Sequence, residues 1–104
     1  MRHILDTVQG DLLEFDLIFE DSAGQEFQPA AGDKYFFEVE IPNAENIDLE
    51  QTENHFRIER VNLIPGNYPF AAGVIFASGD RLTVLKKQNN VLRVLEAVTE
   101  DVTV

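Results

Sequence analysis

The sequence predicts an all-β domain: an antiparallel, immunoglobulin-like sandwich of seven or eight strands, with a small open barrel as the alternative. Three observations lead there. Apolar residues recur at every second position in several segments, the period that places one set of side chains on one face of a pleated strand. Glycine, proline, asparagine and aspartate punctuate these segments about every ten residues. Finally, 104 residues with 44% hydrophobic content and no cysteine can build one core without disulfide staples.

The longest alternating stretch comes first. Leu13, Phe15, Leu17 and Phe19 fall on one face, and Glu14, Asp16 and Glu20 on the other. Asp21-Ser22-Ala23-Gly24 then supplies hairpin turn chemistry. The residues before this strand, 1–9, read as a brief edge strand or a loose lead-in. Gln25 to Pro29 is a short return, with proline at its end or on an edge. Gly10-Asp11 and Gly32-Asp33 each stand immediately before a strongly apolar segment and read as strand-entrance turns. The second strong strand is 34–41, with Tyr35, Phe37, Val39 and Ile41 on one face and Phe36, Glu38 and Glu40 on the other. Pro42 and the asparagines after it break the ladder.

Further on, 47–50 alternates weakly and 55–59 alternates with Phe56 and Ile58 inward. Arg60 to Ile64 reads equally as one helical turn or an extended crossover. Pro65-Gly66-Asn67 is a turn, and the strand after it, 68–76, is apolar on both faces, as a central strand would be. Ala77-Ser78-Gly79-Asp80 turns the chain into 81–85. The polar stretch Lys86 to Asn90 reads as a hairpin tip before the last strand, 91–95. Residues 1–95 are expected to form a single sandwich domain, and 96–104 a C-terminal tail or short strand.

Nineteen acidic and eight basic residues give a net charge of −11. Such a surface repels phosphate backbones and anionic membranes, which excludes nucleic acid as the expected partner. No stretch has the length of a membrane span, so no membrane insertion is expected, and the N-terminus has no apolar run of signal-peptide length. The absence of cysteine fits assembly in a reducing compartment.

The residues that carry chemistry form no constellation in the sequence. His3 and His55 have no second imidazole or cysteine at ligand spacing, and read as surface or rim histidines. Ser22 and Ser78 sit in glycine-containing turns rather than in a nucleophile elbow. The carboxylates of Glu45, Asp48, Glu50 and Glu53 cluster in sequence without the spacing of a calcium loop. No catalytic residue, cofactor or metal site is therefore expected. Phe36, alternating with Glu38 and Glu40, is the aromatic out of place: either the outer face of its strand is covered, or Phe36 marks an interface. Phe27, beside Pro29, is a second interface candidate. Val98 and Val102, in a tail whose edge could pair with its own sheet or another subunit, are the others.

Three segments together resemble tailed-bacteriophage immunoglobulin-like structural modules, such as the N-terminal domain of baseplate upper proteins. Residues 10–24 are similar to their opening: a Gly-Asp, alternating apolar residues, then an acidic glycine turn. Residues 31–40 look like their second strand. Residues 65–95, leading to Val98-Thr99, are similar to their closing meander and Val-Thr exit. The resemblance implies a non-enzymatic virion structural protein, tail- or baseplate-associated or a decoration module. Its implied partners are other virion or prophage proteins, itself as a homo-oligomer, or both. It also implies a location in the bacterial host's cytoplasm during assembly and in the virion afterwards. The chain departs from baseplate proteins in ending after one module, so a small accessory or prophage-encoded virion protein is the better expectation. Two other classes compete: a carbohydrate-binding or adhesion module of the same fold, which the lack of tryptophan disfavours, and a small hydrolase built on the acidic loop cluster.

Overall fold

The structure is organised on one strand that has neighbours along both edges. In this computed structural model, which describes residues 3–20 and 23–96, that strand is β6 (Gly66–Ile75), the longest at 10 residues. One edge of β6 carries β3 (Lys34–Val39), in antiparallel register from Lys34 opposite Ile75 to Val39 opposite Phe70. The other edge carries two strands in succession. β7 (Arg81–Leu85) pairs with the far half of β6, and β8 (Asn90–Leu95) with the near half. Outside them, β4 (Ile47–Gln51) pairs with β3, and β1 (His3–Val8) pairs with β8. This makes a six-stranded sheet in the order β1-β8-β6-β3-β4, with β7 also on β6. The second layer is β2 (Leu13–Asp16) and β5 (His55–Ile58), an antiparallel pair.

The predicted all-β sandwich is what the described residues form: eight strands in two layers and no helix. Every pair is antiparallel except β1–β8, which runs parallel from His3 opposite Asn90 to Val8 opposite Leu95. The open stretch 60–64 is neither helix nor strand. Gly10-Asp11 and Gly32-Asp33 stand at strand entrances with their glycines in the left-handed region, Gly10 at φ 89° and Gly32 at φ 90°.

Two expectations are corrected. The opening strand forms a ladder only over Leu13–Asp16. Leu17 to Phe19 stay extended and keep the predicted alternation, Leu17 and Phe19 buried and Ile18 exposed. They are tied by single bonds instead, Leu17 N–H to the Asn54 carbonyl at 2.8 Å and Phe27 N–H to the Phe19 carbonyl at 2.7 Å. The second correction is larger. The polar stretch after Leu85 is not a hairpin tip, because β7 and β8 run in the same direction along β6. From the pair Ala72–Leu85 to the pair Pro69–Val91, β6 advances three residues and its neighbour six. The extra residues form a blister in one long strand. It is closed by Asn89 N–H to the Lys86 carbonyl at 3.1 Å and by the buried Asn90 amide to the same oxygen at 2.7 Å.

The core lies between the layers, where the predicted inward sets of the strands meet. Phe37 of β3 stands against Phe15 of β2, with centroids 4.7 Å apart, and against Phe70 of β6 at 5.2 Å. Phe15 stacks on Phe56 of β5 at 5.6 Å. These offset and tilted contacts add about 0.5–1.5 kcal/mol each to the burial of the rings. Asp33 staples the two turns beside this core, its carboxylate accepting from Ala30 N–H at 3.0 Å and Ala77 N–H at 2.9 Å. Among the described residues no helix is long and apolar enough to cross a membrane.

Candidate interaction surfaces

Phe36 decides how the outer face of the large sheet is used. Alternation along β3 turns it away from the core, as the sequence predicts, but it is 2% exposed. The Arg81 guanidinium of β7 lies 3.8 Å above its ring centroid. Beneath it is Gly73 of β6, where any Cβ would collide with the Leu82 carbonyl and come within 2.8 Å of Phe36 Cε2. The chain's own side chains thus cover this face, and Phe36 offers no surface to a partner. Two residues on, Glu38 extends the same cover. It accepts Lys87 Nζ at 2.7 Å and Arg81 Nη2 at 2.9 Å, with the Asn46 amide at 3.3 Å. The hydrogen bond from Lys87, its charge and those of Arg81 hold the Glu38 carboxyl below the usual carboxylate range, against the opposing pull of burial. The same hydrogen bond raises Lys87 above its ordinary value. The blister therefore swings Lys87 back over the sheet, which the reading of Lys86 to Asn90 as a hairpin tip missed. Nothing in the local pattern marks a contact between positions 38 and 87.

Phe27 is half-buried, edge-on to Tyr35 with centroids 6.1 Å apart, at the margin of the core. Burial, then the charge of Glu26, raises the Tyr35 phenol above its ordinary pKa. With Glu26, Glu53 and His55 these rings line an open cleft of about 360 Å³. His55 Nδ1 is 2.7 Å from Asp16 Oδ1, both side chains half exposed, and the Gln51 amide donates to the His55 carbonyl. This is a surface hydrogen-bonding contact across the β2–β5 ladder. The acidic run 45–53 is spread over a turn and β4, and among the described residues no three acidic or histidine side chains converge to hold an ion. Val98 and Val102 lie outside the described residues.

A third surface went unread in the sequence. Among the described residues the second layer has two strands, and they leave part of the large sheet's inner face bare. Leu82, opposite the buried Val74, points to that face and is 51% exposed. A register shift between Ala72 and Gly73 brings Val84 and Leu85 to the same side, with Val84 exposed. Across from them runs Leu17 to Glu20, with Ile18 at 63% exposure. The result is an apolar trough of about 670 Å³ between β7 and the continuation of β2. It opens at one end onto a hollow lined by Phe19, Val74 and Phe76, and at the other onto one lined by Ile4, Leu5 and Phe15. The charged residues lining these spaces are Asp16 and Glu20, both acidic. One signal was present in the sequence: Ile18 interrupts the polar series Glu14, Asp16, Glu20. No protein-family model and no curated protein matches this chain.

Proposed function

We propose that this chain is a non-enzymatic structural protein of a bacteriophage or prophage virion, tail- or baseplate-associated or decorating the particle. It works by protein–protein assembly, with other virion proteins or with copies of itself. The observation that carries the assembly reading is the trough. Ile18, Leu82 and Val84 keep large apolar area in water beside an open strand edge, a combination that a packed neighbour relieves. The virion setting rests on the resemblance of 10–24, 31–40 and 65–95 to phage modules. A charge of −11 keeps such a protein soluble before assembly and away from nucleic acid. On this reading the protein acts in the host cytoplasm during assembly and afterwards in the particle.

The test is to induce the source bacterium, purify particles on a density gradient and search them for the chain by mass spectrometry. Light scattering on the purified protein at several concentrations accompanies it. Co-sedimentation with particles at a fixed stoichiometry is the expected result. A strictly monomeric chain that is absent from every particle fraction sinks the reading.

A further inference from the structure

We propose that the trough takes an extended, positively charged segment of a partner protein, added as a new strand along the free edge of β2. The inference deepens the assembly reading above and rests on it for the presence of a partner, but its geometry stands on its own. In an antiparallel ladder the backbone groups of alternate residues face opposite edges. Leu17 N–H bonds Asn54 on the β5 side, so the backbone of Leu13, Phe15 and Leu17 faces β5. By alternation, the N–H and C=O groups of Glu14, Asp16 and Ile18 face the other way, where no described strand lies. That edge borders the trough from Asp16 to Ile18.

An incoming strand would satisfy both deficits at once. Its backbone would pair with Glu14, Asp16 and Ile18, and every second side chain would drop onto Leu82, Val84 and Leu85. This is β-augmentation, in which main-chain bonds give affinity and alternate pockets give specificity. The edge spans five residues, so at about 3.3 Å each it accepts a segment of roughly 16 Å.

Charge selects the occupant. The lining carboxylates are Glu20 and Asp16, the latter also in contact with His55, and the whole chain carries −11. A second copy would bring the same charge to an acidic rim. The chain's own 97–104 segment would bring Glu100 and Asp101. A segment with apolar residues alternating along it and Lys or Arg at its ends meets both the floor and the rim.

The full-length chain is titrated with a short synthetic peptide in which valine alternates with threonine between lysine ends, and with the same peptide carrying glutamate ends. Anisotropy reads affinity, and amide hydrogen exchange reads the position of the peptide. The lysine peptide is expected to bind about tenfold or more tightly than the glutamate peptide. It should slow exchange at Glu14, Asp16 and Ile18. Val84→Lys should weaken it by about tenfold or more, whereas Ile64→Lys, equally charged, 76% exposed and outside the trough, should not. Unchanged unfolding midpoints in both variants show that the comparison is between folded chains.

Several outcomes overturn the proposal. Binding of neither peptide, equal binding of both, or protection elsewhere removes it. So does dimerisation that Val84→Lys abolishes, which makes a second copy the occupant. Protection of the three amides already present in the free chain and lost in Val102→Lys assigns the groove to the chain's own C-terminus, and equally ends it. Absence of the protein from particles would defeat the virion reading and leave the peptide result standing. Presence in particles without peptide binding would do the reverse.

Discussion

Replacing Glu38 by glutamine isolates the charge of one side chain while keeping its shape. Glu38 is 18% exposed and takes two cationic donors, Lys87 at 2.7 Å and Arg81 at 2.9 Å. An exposed ion pair contributes about 0.2–1 kcal/mol, and a hydrogen bond to a charged group about 1.5–3 kcal/mol. The cations are 34% and 45% exposed, which places the pair of contacts low in that range. We expect Glu38→Gln to cost about 1.5–2 kcal/mol near neutral pH. In a domain of this size that lowers the melting temperature by roughly 10 °C.

The pH dependence supplies the control. The folded carboxyl titrates below its unfolded value, so its contribution is complete above about pH 4.5 and fades as pH falls through the folded value. Lys87 is raised on folding, so its share persists up to about pH 10.4 and fades as pH rises through its folded value. Between those limits the cost of the substitution should be flat. In acid it should vanish, because protonated glutamate then resembles glutamine. Urea unfolding of Glu38→Gln, Lys87→Met and the double variant, at neutral and acidic pH, measures this. A neutral-pH cost below about 0.5 kcal/mol, or one undiminished in acid, would refute the charge argument and leave a packing effect.

Three further substitutions test other joints of the fold. Phe36→Ala should destabilise by about 3–5 kcal/mol, the cost of emptying a buried ring site, and a thermal midpoint near wild type would mean that the ring is not covered. Gly73→Ala should cost at least about 1–3 kcal/mol by overpacking against Leu82 and Phe36, and wild-type stability in urea would contradict that close approach. Asp33→Ala should cost about 1–3 kcal/mol by leaving the Ala30 and Ala77 amides without their acceptor, and faster amide exchange at those two residues is the specific signature.

The pattern of what the sequence revealed follows from what a period of two encodes. Alternation tells which side chains share a face, and the inward sets Leu13–Phe15, Tyr35–Phe37–Val39 and Phe70–Ala72–Val74 are the ones in the core. Turn residues tell where a ladder stops, and the Gly-Asp dipeptides stand where strands begin. Neither signal says which strand is the neighbour or in which direction it runs. A polar break after Leu85 looks the same whether the chain reverses or bulges. The choice is made by β6, whose 10 residues are long enough to pair β7 and β8 end to end. Once they are aligned, Lys87 must fold back over the outer face, and Glu38 is the acceptor it meets.

The same limit hid the trough. Position along a strand predicts that Leu82 faces inward, which it does, opposite Val74. Whether inward means buried depends on how many strands the second layer supplies, a count fixed by long-range pairing rather than by local residues. With two strands in that layer, an inward leucine is left 51% exposed, and an outward phenylalanine is buried under a single arginine. Phe36 and Leu82 exchange the roles alternation assigns them, each for its own reason. The small residues Ala71 and Gly73 leave room on the outer face for Phe36 and Arg81 to close over β6. The inner face beside β7 receives no such cover from the described residues. A partner surface in this protein is therefore to be sought where a layer is short of strands, not where a lone aromatic breaks the alternation.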